Sequence, residues 1–216
     1  AAFATLGHKT TVIDIDKKKV ELINSGKSPI YEPGLDELIS SYIGNTLFAV
    51  DHYEVVREAD VVFIGVGTPS KPDGTADLKY IKLAAQGIGK HLNAERFTVI
   101  VNKSTVPVGT ADLVSSIIEE NSGLIPNEHF AVVSNPEFLR EGYALEDVFF
   151  PDRIVIGADN ERARAMMSAL YQGIVQRENY FEKSADFQFD YKLDNKKPAY
   201  FETDIKSAEM IKYATN

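Results

Sequence analysis

Asp14 is the first residue whose type and place could do chemistry. It closes the run Thr10-Thr11-Val12-Ile13-Asp14, β-branched and apolar enough for a buried parallel strand, with a helix before it. A carboxylate at such a strand end suits the ribose hydroxyls of a dinucleotide, and it would repel the extra phosphate of NADP, so the position favours NAD. The glycine loop that completes this fingerprint is not found. Gly65-Val66-Gly67 has Ser70 at the third glycine position, and Gly87-Ile88-Gly89 falls within a helical stretch. The loop is therefore expected upstream of residue 1, and a solvated loop acid stays the competing reading of Asp14.

Two further positions invite chemistry and have plain structural readings beside it. Glu137 follows Asn135-Pro136, which reads as an N-cap, a first-turn proline and an acid at the positive end of a helix dipole. Lys212 and Asn216 stand four residues apart and share a helix face, where a lysine is ordinarily a solvated charge. Thr105 is a polar strand-end residue. The chain has no cysteine, which excludes disulfides, thiolate metal sites and a cysteine nucleophile within these residues.

The elements that must position these groups follow from pattern. Short β-rich runs recur at 47–50, 61–65, 98–101, 130–133 and 154–157. Helical periodicity covers 17–24, 78–91 and 110–121. Alternation of this kind predicts an α/β fold, a doubly wound parallel sheet of Rossmann-like type over 1–178. Ala1 to Leu6 reads as the last turns of a helix stopped by Gly7, so the first strand of the fold is expected to precede the chain. Residues 179–203 read as an irregular or hairpin segment, charged and aromatic near Asp186 to Lys197, and 204–216 as the start of a linking helix. Ligands of such sheets bind beyond the carboxyl ends of the strands, where loops 64–69, 102–109 and 134–142 are rich in Gly, Pro and polar residues.

The chain has 216 residues, 44% hydrophobic and 25% charged, enough to bury a substantial core. A net charge of -9 argues against non-specific binding to nucleic acid or anionic membrane. No apolar run reaches the roughly 20 residues needed to span a bilayer, and no signal-peptide plan opens the chain, so the cytoplasm is the expected location.

Several segments together resemble the UDP-glucose/GDP-mannose dehydrogenases. They are Pro29-Ile30-Tyr31-Glu32-Pro33-Gly34-Leu35, Gly67-Thr68-Pro69 with Asp73-Gly74, Lys103-Ser104-Thr105-Val106-Pro107-Val108-Gly109, Asn135-Pro136-Glu137-Phe138-Leu139-Arg140-Glu141-Gly142, Pro151-Asp152-Arg153 and Ser207-Ala208-Glu209-Met210-Ile211-Lys212-Tyr213. Each is modest alone, and their order and spacing carry the resemblance. The Glu141-Gly142 ending and the Pro151-Asp152-Arg153 run look like the UDP-glucose branch. The resemblance implies oxidation of the C6 alcohol of a nucleotide sugar to a carboxylate, UDP-glucose to UDP-glucuronate. It proceeds by two hydride transfers to two NAD through a cysteine thioester. UDP-N-acetylhexosamine or GDP-mannose are alternative substrates, and a non-catalytic nucleotide-binding module is a reading of another class.

Carried over by position, the resemblance implies that Thr105 and Glu137 hold or activate a water. Lys212 and Asn216 stabilise the oxygen anion at C6, Glu141 lies near the sugar, and Phe138 and Leu139 belong to the stretch that grips the substrate. Asp14, Lys19, Thr68 and Thr105 match NAD contacts. A carboxylate-ordered water is a suitable proton acceptor when hydride leaves an alcohol, and a nearby ammonium stabilises the developing alkoxide. The family's cysteine, glycine loop and second nucleotide-binding domain are expected outside this chain, which by itself is expected to be inactive. The whole protein is expected to be a homodimer or larger homo-oligomer, and no metal is implied.

Overall fold

Residues 1–176 and 197–215 are described by the computed structural model. In chain order the first elements are α1 (Ala2–Thr5), β1 (Thr10–Ile13), α2 (Lys17–Asn24), α3 (Leu35–Tyr42), β2 (Leu47–Val50), a 3₁₀ turn at Glu54–Glu58, β3 (Val61–Ile64) and α4 (Lys79–Gly89). There follow β4 (Thr98–Asn102), α5 (Thr110–Ser122), β5 (Phe130–Ser134), α6 (Ala144–Phe149), β6 (Arg153–Gly157), α7 (Glu161–Gln176), β7 (Ala199–Thr203) and α8 (Ile205–Thr215). Where the pattern suggests one domain over 1–178, packing divides the described residues into two units. One comprises Ala1–His52, Leu139–Arg153 and the described part of Tyr171–Ala199. The other comprises Tyr53–Phe138, Ile154–Leu170 and the described part of Tyr200–Asn216.

In the first unit α1 stops where the sequence says it should. Gly7 takes φ 90°, and the N–H groups of Gly7 and His8 close on the Ala4 and Phe3 carbonyls. β1 pairs in parallel with β2, from Thr10 opposite Leu47 to Ile13 opposite Val50. α2 starts at Asp16, whose carboxylate accepts the Lys18 N–H, and its last residue is stapled to β2 by two hydrogen bonds between the Asn24 amide and the Ala49 backbone. Ala4, Ile23, Ile39, Leu47 and Ala49 form the core beneath these elements.

The second unit is built on a five-stranded sheet of order β3-β4-β5-β6-β7. β3, β4 and β5 are parallel, with Ile64 opposite Asn102 and Asn102 opposite Ser134 at their carboxyl ends. Every residue of β4 and β5 is buried, which explains their nearly continuous apolar sequence. α4 packs on α5.

The parallel sheet expected from the pattern is present in β3, β4 and β5, and β6 adds a strand antiparallel to β5 through Ser134 and Gly157. A parallel return needs a crossover that packs on the same sheet, and the helix in this connection, α6, belongs to the first unit. Of the segment 179–203 read as irregular or hairpin, Ala199–Thr203 form β7, beside β6. Residues 177–196, with most of the charged aromatic stretch, lie outside the described residues.

Three features fix α8 in this unit. The Asp204 carboxylate accepts from the Ser207 N–H and hydroxyl at 2.8 and 2.6 Å, as an N-cap. Gly157 lets the helix come close, since a Cβ there would lie 2.4 Å from that of Ala208. The third contact is made by Glu209.

Candidate active site

The Lys212 ammonium lies 3.3 Å from Glu137 Oε1, donates to the Glu137 backbone carbonyl and stands 5.4 Å over the Phe138 ring. Only 8% of the lysine side chain and 28% of the glutamate side chain is exposed, so Lys212 is not a solvated surface charge. Its orientation comes from the rest of α8. Glu209, one turn before it and 2% exposed, accepts the Gly109 N–H at 2.7 Å and the Ala111 N–H at 2.8 Å. These are unpaired donors at the start of α5, where Gly109 takes a left-handed φ of 93°, and a carboxylate suits that end of the helix dipole. Burial raises the pKa of Glu209, and the two backbone bonds oppose that rise.

Glu137 does not start a helix. Residues 135–140 are irregular and α6 begins only at Ala144, so the capping reading of Asn135-Pro136-Glu137 is corrected. Asn135 is committed elsewhere. Its side-chain amide donates to the Val155 carbonyl at 2.9 Å, its backbone N–H donates to Asn102 at 2.9 Å, and its Oδ1 accepts from Lys103 Nζ at 3.4 Å. The residue therefore straps the carboxyl end of β5 to β4 and β6.

The neighbouring strand-end loops are also tied. The Thr68 hydroxyl donates to the Thr105 carbonyl at 2.8 Å, bringing those two positions together, and the Ser104 hydroxyl donates to the Val66 carbonyl at 2.7 Å. Lys103, the first residue of the second loop, is desolvated. Burial pulls its pKa down from 10.5 to about 8; Glu137 pulls it back up and Lys212 adds to the fall.

In the first unit, Asp14 Oδ1 accepts the Asp16 N–H at 2.9 Å, and Oδ2 lies 3.6 Å from Lys19 Nζ. The Asp14 side chain keeps 30% of its exposure and that of Lys19 keeps 50%. A partly solvated carboxylate at the end of β1 retains acceptor capacity and so fits a ribose hydroxyl, with Lys19 offsetting part of its charge. Leu139 and Glu141 also lie in this unit, both exposed, while Glu137, Phe138 and Lys212 lie in the other. Asn216 lies outside the described residues. Among the described residues no group of three or more His, Cys, Asp or Glu is placed to hold a metal ion.

Residues 1–175 match the UDP-glucose/GDP-mannose dehydrogenase family, NAD binding domain. The chain belongs to this family. It is 43% identical over 217 residues to UDP-glucose 6-dehydrogenase YwqF of Bacillus subtilis (strain 168), covering 100% of this chain and 43% of that protein. It is 44% identical over 219 residues to UDP-glucose 6-dehydrogenase of Rhizobium meliloti (strain 1021), covering 99% of this chain and 45% of the relative. The chain thus spans less than half the length of these relatives. Among solved structures, it superposes on a ternary complex of GDP-mannose dehydrogenase from Pseudomonas aeruginosa with TM-score 0.85 and 33% identity, over 100% of this chain and 45% of that one. A UDP-glucose dehydrogenase from Pyrobaculum islandicum gives TM-score 0.83 and 38% identity, over 99% and 44%. The fold is the α/β, Rossmann-like NAD-binding fold of this family, and NAD is its cofactor.

Three residues escaped sequence reasoning as parts of the site: Lys103, Asn135 and Glu209. A charge directly after the apolar strand Thr98–Asn102 was a usable signal for Lys103. Glu209 and Lys212, three apart, could be placed on one helix face. Nothing local marks the partners of Asn135.

Proposed function

We propose that this chain is the NAD-binding part of a UDP-glucose 6-dehydrogenase, which oxidises UDP-glucose to UDP-glucuronate with release of two NADH and three protons. The observation that carries the reading is the Lys212–Glu137 pair, an ammonium and a carboxylate held together beside the carboxyl end of β5 in an NAD-binding domain. The UDP-glucose 6-dehydrogenases at 43% and 44% identity support the substrate. NAD supplies the hydride acceptor. Lys212 donates to the oxygen that gains charge at C6, and Glu137, with Thr105, orders the water that takes the proton and, later, the water that hydrolyses the thioester. Phe138 and the Glu137 carbonyl keep Lys212 aimed. Asn216 assists Lys212, Leu139 and Glu141 meet the sugar nucleotide, and Asp14, Lys19 and Thr68 serve NAD. The thioester needs a thiol, and these 216 residues contain none, so alone they do not carry the oxidation through to the carboxylate.

GDP-mannose is the second reading, favoured by the superposition on GDP-mannose dehydrogenase at TM-score 0.85, although identity is higher to the UDP-glucose enzyme of known structure, 38% against 33%. The test is a panel of UDP-glucose, UDP-N-acetylglucosamine and GDP-mannose with NAD or NADP, assayed on the whole protein that carries this chain. UDP-glucose with NAD should turn over best. Better turnover of GDP-mannose reverses the order of the two readings, and nucleotide binding without turnover of any sugar leaves a binding module. We place the whole enzyme in the cytoplasm as a homodimer or larger homo-oligomer, to be checked by fractionation and light scattering.

A further inference from the structure

Lys212 and Glu137 carry +1 and −1, so the pair is neutral as a unit. A neutral pair is poorly suited to stabilise an oxygen that develops a full negative charge, because the carboxylate opposes what the ammonium provides. Lys103 changes this balance. It follows β4, its backbone N–H donates to the Ile64 carbonyl at 3.0 Å, and its ammonium donates to Asn135 Oδ1. The Asn135 amide cannot turn, since its Nδ2 is bound to the Val155 carbonyl, and it therefore presents oxygen to Lys103. We propose that Lys103 supplies the net positive charge of this site: with it the Lys103–Glu137–Lys212 group carries +1, and without it the group carries none. Lys103 is thus a positioning residue that acts electrostatically through Glu137 and Lys212, and the proposal rests on the oxidation read above.

The charge is conditional. The charged groups acting on Lys103 are Glu137 and Lys212, and burial pulls its pKa down from 10.5 to about 8. An anion developing beside the group raises that value, so the site tightens its hold on a proton as the oxygen gains charge. Above pH 8 in the resting site the surplus charge is lost.

Two measurements decide this. In the whole protein, Lys103→Met should lower kcat at pH 7 by about tenfold or more with a smaller change in KM, since the charge acts on the developing oxyanion. Lys103→Arg should recover turnover relative to the methionine variant and remove the part of the alkaline fall that begins near pH 8. Wild-type turnover and an unmoved pH profile in both variants overturn the proposal. The second measurement does not depend on activity: NMR titration of ¹³C-labelled lysine Cε in the whole protein, with Lys103 assigned from the arginine variant. Lys103 should titrate near 8, move down in Glu137→Gln and move up in Lys212→Met. A Lys103 that keeps its proton to about 10.5 and ignores both substitutions overturns it. If the wild-type protein reduces NAD with no nucleotide sugar, the oxidation reading fails, and the titration still accepts or rejects the charge assignment.

Discussion

Asp14 and Lys212 are held in opposite ways. Asp14 sits at a strand end, partly solvated, and its side-chain partners are Asp16 and Lys19, within five residues of it. Lys212 is almost fully buried and its partner Glu137 is 75 residues away, while Glu209, which fixes its helix, bonds to Gly109 across 100 residues. A locally held group depends on a few neighbours and tolerates change elsewhere. A group held across the fold depends on every contact that seats its helix, so substitutions far from the chemistry can disarm it.

The hardest way to break the comparison is to remove the distant group itself. Lys212→Met in the whole protein should reduce turnover by about 10²–10³-fold, the scale for loss of one oxyanion donor. Initial rates of NADH formation check this, and a change within threefold would reduce Lys212 to a structural role. Next in size is a change to the mount. Gly157→Ala would force a Cβ against Ala208 at 2.4 Å, with the Asp204 carbonyl at 2.9 Å and Ile205 Cα at 3.0 Å. It should cost about 1–3 kcal/mol in urea unfolding, as overpacking does. Gly65→Ala, whose Cβ would meet nothing within 4 Å, is the control.

A pH series sharpens the comparison further. Folded Lys103 releases its proton near 8 and an ordinary lysine near 10.5. Between these values the unfolded chain binds the extra proton, so stability rises with pH through this window and is lowest, as far as this residue matters, below 8. Wild type should therefore gain stability relative to Lys103→Met between pH 8 and 10.5, by chemical denaturation at each pH. The smallest effect belongs to the local site. Asp14→Asn should leave stability within about 0.5 kcal/mol and narrow the NAD over NADP preference by about tenfold, through loss of the repelling charge.

The same contrast decides what could be read before folding. Strands such as Thr98–Asn102 and helices such as Thr110–Ser122 are written in local pattern and lie within a residue or so of where that pattern puts them. The Gly7 stop and the place of Asp14 are equally local. β7 was not legible, because its residues alternate without a clear buried face and its neighbour β6 lies some 40 residues earlier. The antiparallel turn of β6 has no local marker either. Asn135-Pro136-Glu137 misled for an instructive reason: the residues obey the rules of a helix start, yet the carbonyl of Val155, 20 residues on, takes the Asn135 amide. Lys212 and Glu137 were matched to roles by family resemblance, and the contact that joins them belongs to tertiary structure.

The most direct test is Glu137→Gln in the whole protein, because Gln keeps the size and leaves the backbone carbonyl that also receives Lys212. Turnover of UDP-glucose is measured alongside a thermal melt and intact mass. The expected result is a fall in turnover of about 10² or more, a nearly unchanged melt, and a protein-bound sugar nucleotide that accumulates because its hydrolysis has slowed. Near-normal turnover with a clearly lowered melt would contradict this, and would leave Glu137 as a support for Lys212 with no part in handling water.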